Sequence, residues 1–201
     1  MTSSLRSAIN PWQKNIWRLA LPLILANLTV PLLGIADTAV IGDLSAAHIG
    51  AVALSSMIFA YLFWGLAFIK FSATGLTAQA YGADRGTDVF TILGQTLCLS
   101  LVFGSAFIIA KYPIISFSML LIDPTAQVER LATEYMHIRI LSAPATLANI
   151  GILGWLIGLQ KVRTALALQV LINGTNIIFD FVLAVYFQME VRGVAWATVI
   201  A

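Results

Sequence analysis

The chain has 201 residues, 60% hydrophobic and only 10% charged. Soluble domains carry about a quarter charged residues, so this composition excludes one. A net charge of +2 leaves no nucleic-acid footprint, and the single cysteine, Cys98, excludes a disulfide framework within the chain.

A membrane span needs about 20 mostly apolar residues. Five such runs follow in order, roughly 16–41, 47–70, 89–110, 131–158 and 164–187, and a sixth opens at Gly193. Backbone groups in lipid must be satisfied within their own segment, so all six are expected to be helices. A β-barrel would show shorter, alternating strands. The first run is too long for a signal peptide and lacks a clear cleavage site. The sequence stops inside the apolar stretch VAWATVIA, which reads as the N-terminal part of something longer.

The first run holds Pro22, Asn27, Pro31, Gly34 and Asp37. Proline removes a backbone hydrogen bond and bends a helix, so Pro22 and Pro31 predict a bend. A charge at bilayer depth costs roughly 3 kcal/mol or more, which makes Asp37 a functional candidate. The second run ends near Lys70, whose long stem suits snorkelling to the interface. GADRGTD then reads as a short turn. In the third run, Cys98 reads as a small packing residue. The fourth run carries Arg139, Pro144 and Asn149 in a bent, partly polar helix. Arg139 is either a counter-ion to an intramembrane acid or a stem reaching the interface. The small residues of GILGWLIG suggest close helix packing. His48 and His137 lie near run ends with no second ligand at metal spacing, so no metal site is expected.

The fifth run is the most patterned. Gln169, Asn173, Asn176 and Asp180 follow at steps of four, three and four. At 100° per residue they share one stripe roughly 60° wide. Such a stripe avoids lipid and faces either a polar cavity or another helix. Membrane amides do act as interhelical glue, at about 0.6 kcal/mol each. Asp180 tips the reading toward a cavity. Asp37 and Asp180 lie on runs of the same direction, on the order of 6–10 Å below the same end.

Loop charge sets the orientation. With the N-terminus cytoplasmic, the inner segments hold Arg6, Lys14, Arg18, Arg85, Lys161 and Arg163. The outer segments hold Lys111, Arg130 and Arg192. The excess of basic residues inside follows the positive-inside rule.

The stretches PLLGIADTAVIGDLSAAHIGAVAL, FSATGLTAQAYGADRG, LSAPATLANIGILGWLIGLQ and NIIFDFVLA together resemble MATE (multidrug and toxic compound extrusion) transporters, and specifically the DinF-like branch. The resemblance implies an all-α fold, a polytopic helix bundle forming the first six-helix lobe of a twelve-helix, two-lobe transporter. It implies a bacterial inner-membrane protein that exports organic cations or amphipathic compounds in exchange for H⁺, or less readily Na⁺, by alternating access. The partners are the bilayer, small organic molecules and a C-terminal lobe, with no cofactor beyond the coupling ion. By resemblance Asp37 is the ion carrier, joined by Asp180 and Asn176, and Pro22 marks the bend. If the ion is Na⁺, oxygens of Asp37, Asn176 and Asp180 supply the ligands. Asn149 and Asn173 join Asn27 and Gln169 as cavity residues by pattern alone. A flippase of the same superfamily would carry more cavity cations than Arg139 and Lys70. An intramembrane aspartyl protease would show GxGD, and the sequence around Asp43 lacks the first glycine.

Overall fold

The computed structural model describes residues 45–201 and, before them, residues 16, 17, 20, 21, 24 and 25. Pro22, Asn27, Pro31 and Asp37 lie outside the described residues.

Eight helices follow Ser45: α1 (Ala46–Gly65), α2 (Phe68–Gly82), α3 (Gly86–Ile109), α4 (Lys111–Ile122), α5 (Ala126–Arg139), α6 (Ala143–Gly158), α7 (Val162–Asp180) and α8 (Glu190–Ile200). A 3₁₀ turn, Ile140–Ser142, joins α5 to α6, and a π-helical turn, Phe181–Tyr186, extends α7. Among the described residues, four helical stretches are long and apolar enough to cross a membrane: Ala46–Gly65, Gly86–Ile109, Ala126–Gly158 and Val162–Tyr186. The protein is a multi-pass membrane helix bundle.

Where elements differ from the sequence reading, local bonding explains it. The second run breaks at Leu66, where the Leu66 and Ala67 N–H groups each reach back three residues, at 3.0 Å, instead of four. Such tightening needs no proline. The helix then resumes and runs on to Gly82, so Lys70 is the third residue of α2 and not the end of a span. The apolar segment KYPIISFSMLLI forms α4, twelve residues long, where a connecting segment was expected. Twelve residues rise about 18 Å, less than a bilayer core. Cys98 is exposed on the surface of α3 and does not pack inward.

The turns after α2 and α6 close in one way. Asp84 and Gln160 adopt left-handed backbone, with φ of 55° and 60°. The next N–H then reaches five residues back, from Arg85 to the Ala80 carbonyl at 3.0 Å and from Lys161 to the Leu156 carbonyl at 2.9 Å. These bonds satisfy carbonyls that a helix end leaves open.

Two triads organise the bundle. In the first, α6 packs against α2 and α3. A Cβ at Gly154 would meet the Lys70 carbonyl oxygen at 2.5 Å, so only glycine permits this approach. The Thr74 hydroxyl shares its proton between the Lys70 and Gly154 carbonyls, at 2.8 and 3.0 Å. The Trp155 indole N–H reaches the Val89 carbonyl at 2.9 Å. In the second triad, α5 packs against α1 and α8 around buried Phe59, Tyr135, Met136, Ile140, Val191 and Val194. Pro144 sits in the first turn of α6, where its missing N–H costs no helix bond.

Candidate functional site

The polar stripe of α7 faces inward. Asp180 is 0% exposed, Asn176 2% and Asn173 6%. Ile177 and Phe181, off the stripe, are exposed. Gly193 lets α8 close on the end of α7, because a Cβ there would stand 2.6 Å from the Ala184 nitrogen. The π-helical turn begins directly after Asp180, with the Phe187 N–H bonded to the Val182 carbonyl five residues back, at 3.0 Å. One inserted residue of this kind re-aims the side chains beside it.

Asn176 links Asp180 to α8. The two ends of an amide are assigned from their partners. With Nδ2 toward Asp180, Nδ2 donates to Oδ2 at 3.0 Å and Oδ1 accepts the Thr198 N–H at 3.1 Å. The opposite orientation leaves one long contact, 3.4 Å to the Thr198 hydroxyl. The first orientation satisfies both ends.

Beside this group lies a cavity of about 270 Å³, with Arg139, Ser142, Thr146, Asn149, Asn176 and Thr198 among its lining residues. It sits where α5 passes through the 3₁₀ turn into α6. Ser142 donates to the Arg139 carbonyl at 2.7 Å, which secures that turn. Arg139 is held by neutral groups among the described residues: its Nη1 donates to the Tyr135 hydroxyl and to Ser56 Oγ at 3.4 Å. Its guanidinium carbon lies 5.3 Å from the Phe59 ring centroid and 5.6 Å from that of Tyr135. These are cation–π distances.

The expected residues therefore separate. Asp180 and Asn176 are bonded to each other, and Asn149 lines the cavity with Asn176. Gln169 donates to Asn173 at 2.9 Å, as a pair further along the same stripe. Asp37, Asn27, Pro22 and Pro31 fall outside the described residues. Asn173 Nδ2 and Asn149 Oδ1 are buried without a hydrogen-bond partner among the described residues. The structure adds Thr198, Tyr135 and Ser56. Thr198 had a faint signal, as a hydroxyl in the apolar sixth run. Ser56 and Tyr135 had none, because their link to Arg139 comes from how α1 and α5 pack.

His48 and His137 have ordinary partners. His48 Nε2 lies 3.2 Å from Glu190 Oε2, and Nδ1 lies 2.8 Å from Ser45 Oγ. The His137 ring meets Tyr112 edge to face. Among the described residues there is no cluster of three His, Cys, Asp or Glu suited to a metal.

A family model described as MatE matches residues 22–182. DNA damage-inducible protein F of Escherichia coli K12 is 44% identical over 189 residues, covering 94% of this chain and 41% of that protein. A probable multidrug resistance protein NorM of Thermotoga maritima is 28% identical over 196 residues, covering 94% of this chain and 42% of that protein. A solved structure described as MATE in the bent conformation has a TM-score of 0.84 at 25% identity, over 94% of this chain and 42% of its own. The chain thus spans about two fifths of the length of these proteins.

Proposed function

The chain belongs to the MatE family, and we propose on that premise that it forms the first six-helix lobe of a twelve-helix, two-lobe antiporter. A second lobe completes the central cavity. The protein resides in the bacterial inner membrane with its N-terminus in the cytoplasm. It exports organic cations or other amphipathic compounds by alternating access, driven by a cation moving inward.

One observation carries this reading: a fully buried carboxylate, Asp180, on a membrane-crossing helix, hydrogen-bonded to Asn176, which lines a largely apolar cavity with Arg139 and Asn149 in its wall. Intramembrane acids are retained where ions or protons move. H⁺ is proposed ahead of Na⁺ as the coupling ion, and the Asn176 amide, which donates to Asp180 and accepts from α8, holds that carboxylate in place. Asp37 is proposed as the second titrating acid, with Pro22 and Pro31 bending its helix.

The test uses the full-length protein in proteoliposomes under an imposed pH gradient. Asp37→Asn and Asp180→Asn, which keep size and remove titration, are each expected to abolish coupled efflux of a fluorescent organic cation. Insertion and expression stay intact. Wild-type efflux in both variants would remove the acids from the mechanism. Gradient-independent movement of a labelled lipid, with no cation efflux, would favour a flippase instead.

A further inference from the structure

We propose that Arg139 anchors an acidic group of the transported compound, so that zwitterionic and anionic amphipaths are preferred over simple organic cations. This rests on the transport reading above and narrows its substrate class.

The cavity beside Asn176 carries a guanidinium in its wall. The side chain is partly buried, with its planar head near the faces of Phe59 and Tyr135. Ring contacts and the Tyr135 and Ser56 bonds fix its orientation before any ligand arrives. A held guanidinium loses little freedom on binding, which favours affinity. Among the described residues only Nη1 donates, so Nη2 and Nε remain to receive an acceptor. Those two nitrogens form the fork that grips a carboxylate or sulfonate in two parallel bonds. Among the described residues its partners are a phenol, a hydroxyl and rings, none of which neutralises its charge.

The opposite pole of the ligand is also provided for. Asn149 lines the same cavity, and its Oδ1 is buried without a partner among the described residues. A buried acceptor left open is costly, and a ligand donor relieves it. A cationic donor in the wall, and an unpaired Asn149 oxygen that a rotation of its side chain would bring to the cavity, match a molecule bearing an acid and an amine or hydroxyl. A volume of about 270 Å³ holds one ring with its substituents. Ligand pockets usually span about 300–1,000 Å³, so the remainder of a drug-sized molecule extends beyond this cavity.

The experiment compares a carboxylate-bearing rhodamine with its methyl ester, which shares the ring system but is a plain cation. Binding to the full-length protein in detergent is followed by fluorescence anisotropy, and efflux is followed in proteoliposomes. The wild-type protein is expected to bind the acid more tightly than the ester. Arg139→Gln should weaken the acid by about 10- to 100-fold, the worth of a charged hydrogen bond, and leave the ester unchanged. Arg139→Lys keeps charge and stem but loses the fork, so it should fall between the two. It also stands in if Arg139→Gln proves unstable. Equal wild-type affinity for acid and ester, or an equal loss of both in the variants, overturns the proposal. Preferential binding of the acid without any gradient-driven efflux would leave the anchor standing and sink the transport reading alone.

Discussion

Two polar stripes cross this bundle, and they are built differently. The one between α2, α3 and α6 is made of hydroxyls. Thr74, Thr96 and Ser100 each donate to a backbone carbonyl, at 2.7–2.8 Å to the residue four earlier on their own helix. Glycines let the helices close over them. The stripe on α7 is made of amides and a carboxylate, and Asn173 there keeps a buried donor with no described partner. A hydroxyl can satisfy itself on its own helix, whereas an amide or acid depends on another element. The first stripe is packing material, with one exception in Thr77, whose buried hydroxyl has no hydrogen-bond partner among the described residues. The second spends stability on groups whose use lies outside the helix that carries them.

Gly154→Val should produce the largest effect. The new Cβ would meet backbone on α2, the Lys70 carbonyl oxygen at 2.5 Å and its Cα at 3.1 Å. Backbone cannot swing aside as a side chain does. Overpacking of this kind costs about 1–3 kcal/mol or more, a large share of a net stability of about 5–15 kcal/mol. Gly174 on α7 meets nothing within 4 Å, so Gly174→Ala should be neutral or stabilise by up to about 1 kcal/mol. Thermal melting in detergent and the yield of inserted protein measure both. Equal melting temperatures would remove the distinction between the two stripes.

The next test lies within the α7 stripe. Asn176→Ala removes the amide that bonds Asp180 and leaves α8 without its link at Thr198. A hydrogen bond to a charged group is worth about 1.5–3 kcal/mol, so coupled efflux should fall roughly 10-fold or more. Gln169→Ala, which removes a hydrogen bond to Asn173 and none to Asp180 among the described residues, should change it less than about 2-fold. The measurement is efflux rate against imposed pH gradient. Similar losses in both variants would show that the stripe acts as a unit and that the Asp180 bond is not special.

The stripe itself was legible in the sequence, because a 3.6-residue period on an apolar background leaves one arrangement for four polar residues. Its inward direction followed from the cost of exposing it to lipid. What it touches was not legible. Thr198 is 22 residues from Asn176 and meets it only because Gly193 admits α8 to the end of α7. The membrane class and helical fold were readable from composition and run length. The break at Leu66 was not, since it comes from three-residue hydrogen bonds with no proline to announce it. Helix α4 was hidden by its short length and by Lys111 and Pro113 at its start. For Arg139 the sequence left counter-ion or snorkelling stem as alternatives. The ring faces and hydroxyls that hold it belong to residues up to 83 positions away, Ser56 the farthest.

The smallest expected effects separate packing from use most sharply. Thr74→Val is isosteric and removes a hydroxyl that bridges α2 to the Gly154 carbonyl. Interhelical bonds in membranes average about 0.6 kcal/mol, so the melting temperature should drop by about 2 °C. Transport selectivity should not move, because this bond is satisfied at both ends. Asn173→Leu is also close in size, and it deletes a buried donor that lacks a described partner. Replacing such a group with an apolar isostere is near neutral or stabilising. Its melting temperature should therefore hold or rise, less the worth of the Gln169 hydrogen bond that it also removes. If Asn173 is kept for a ligand or a moving element, the profile of exported compounds should shift in this variant alone. The two variants are compared by thermal melting and by efflux of a panel of amphipathic dyes from proteoliposomes of the full-length protein. Should Asn173→Leu lose stability as Thr74→Val does and export the same panel as wild type, Asn173 is glue and takes no part in the cavity that Ile172 and Asn176 line.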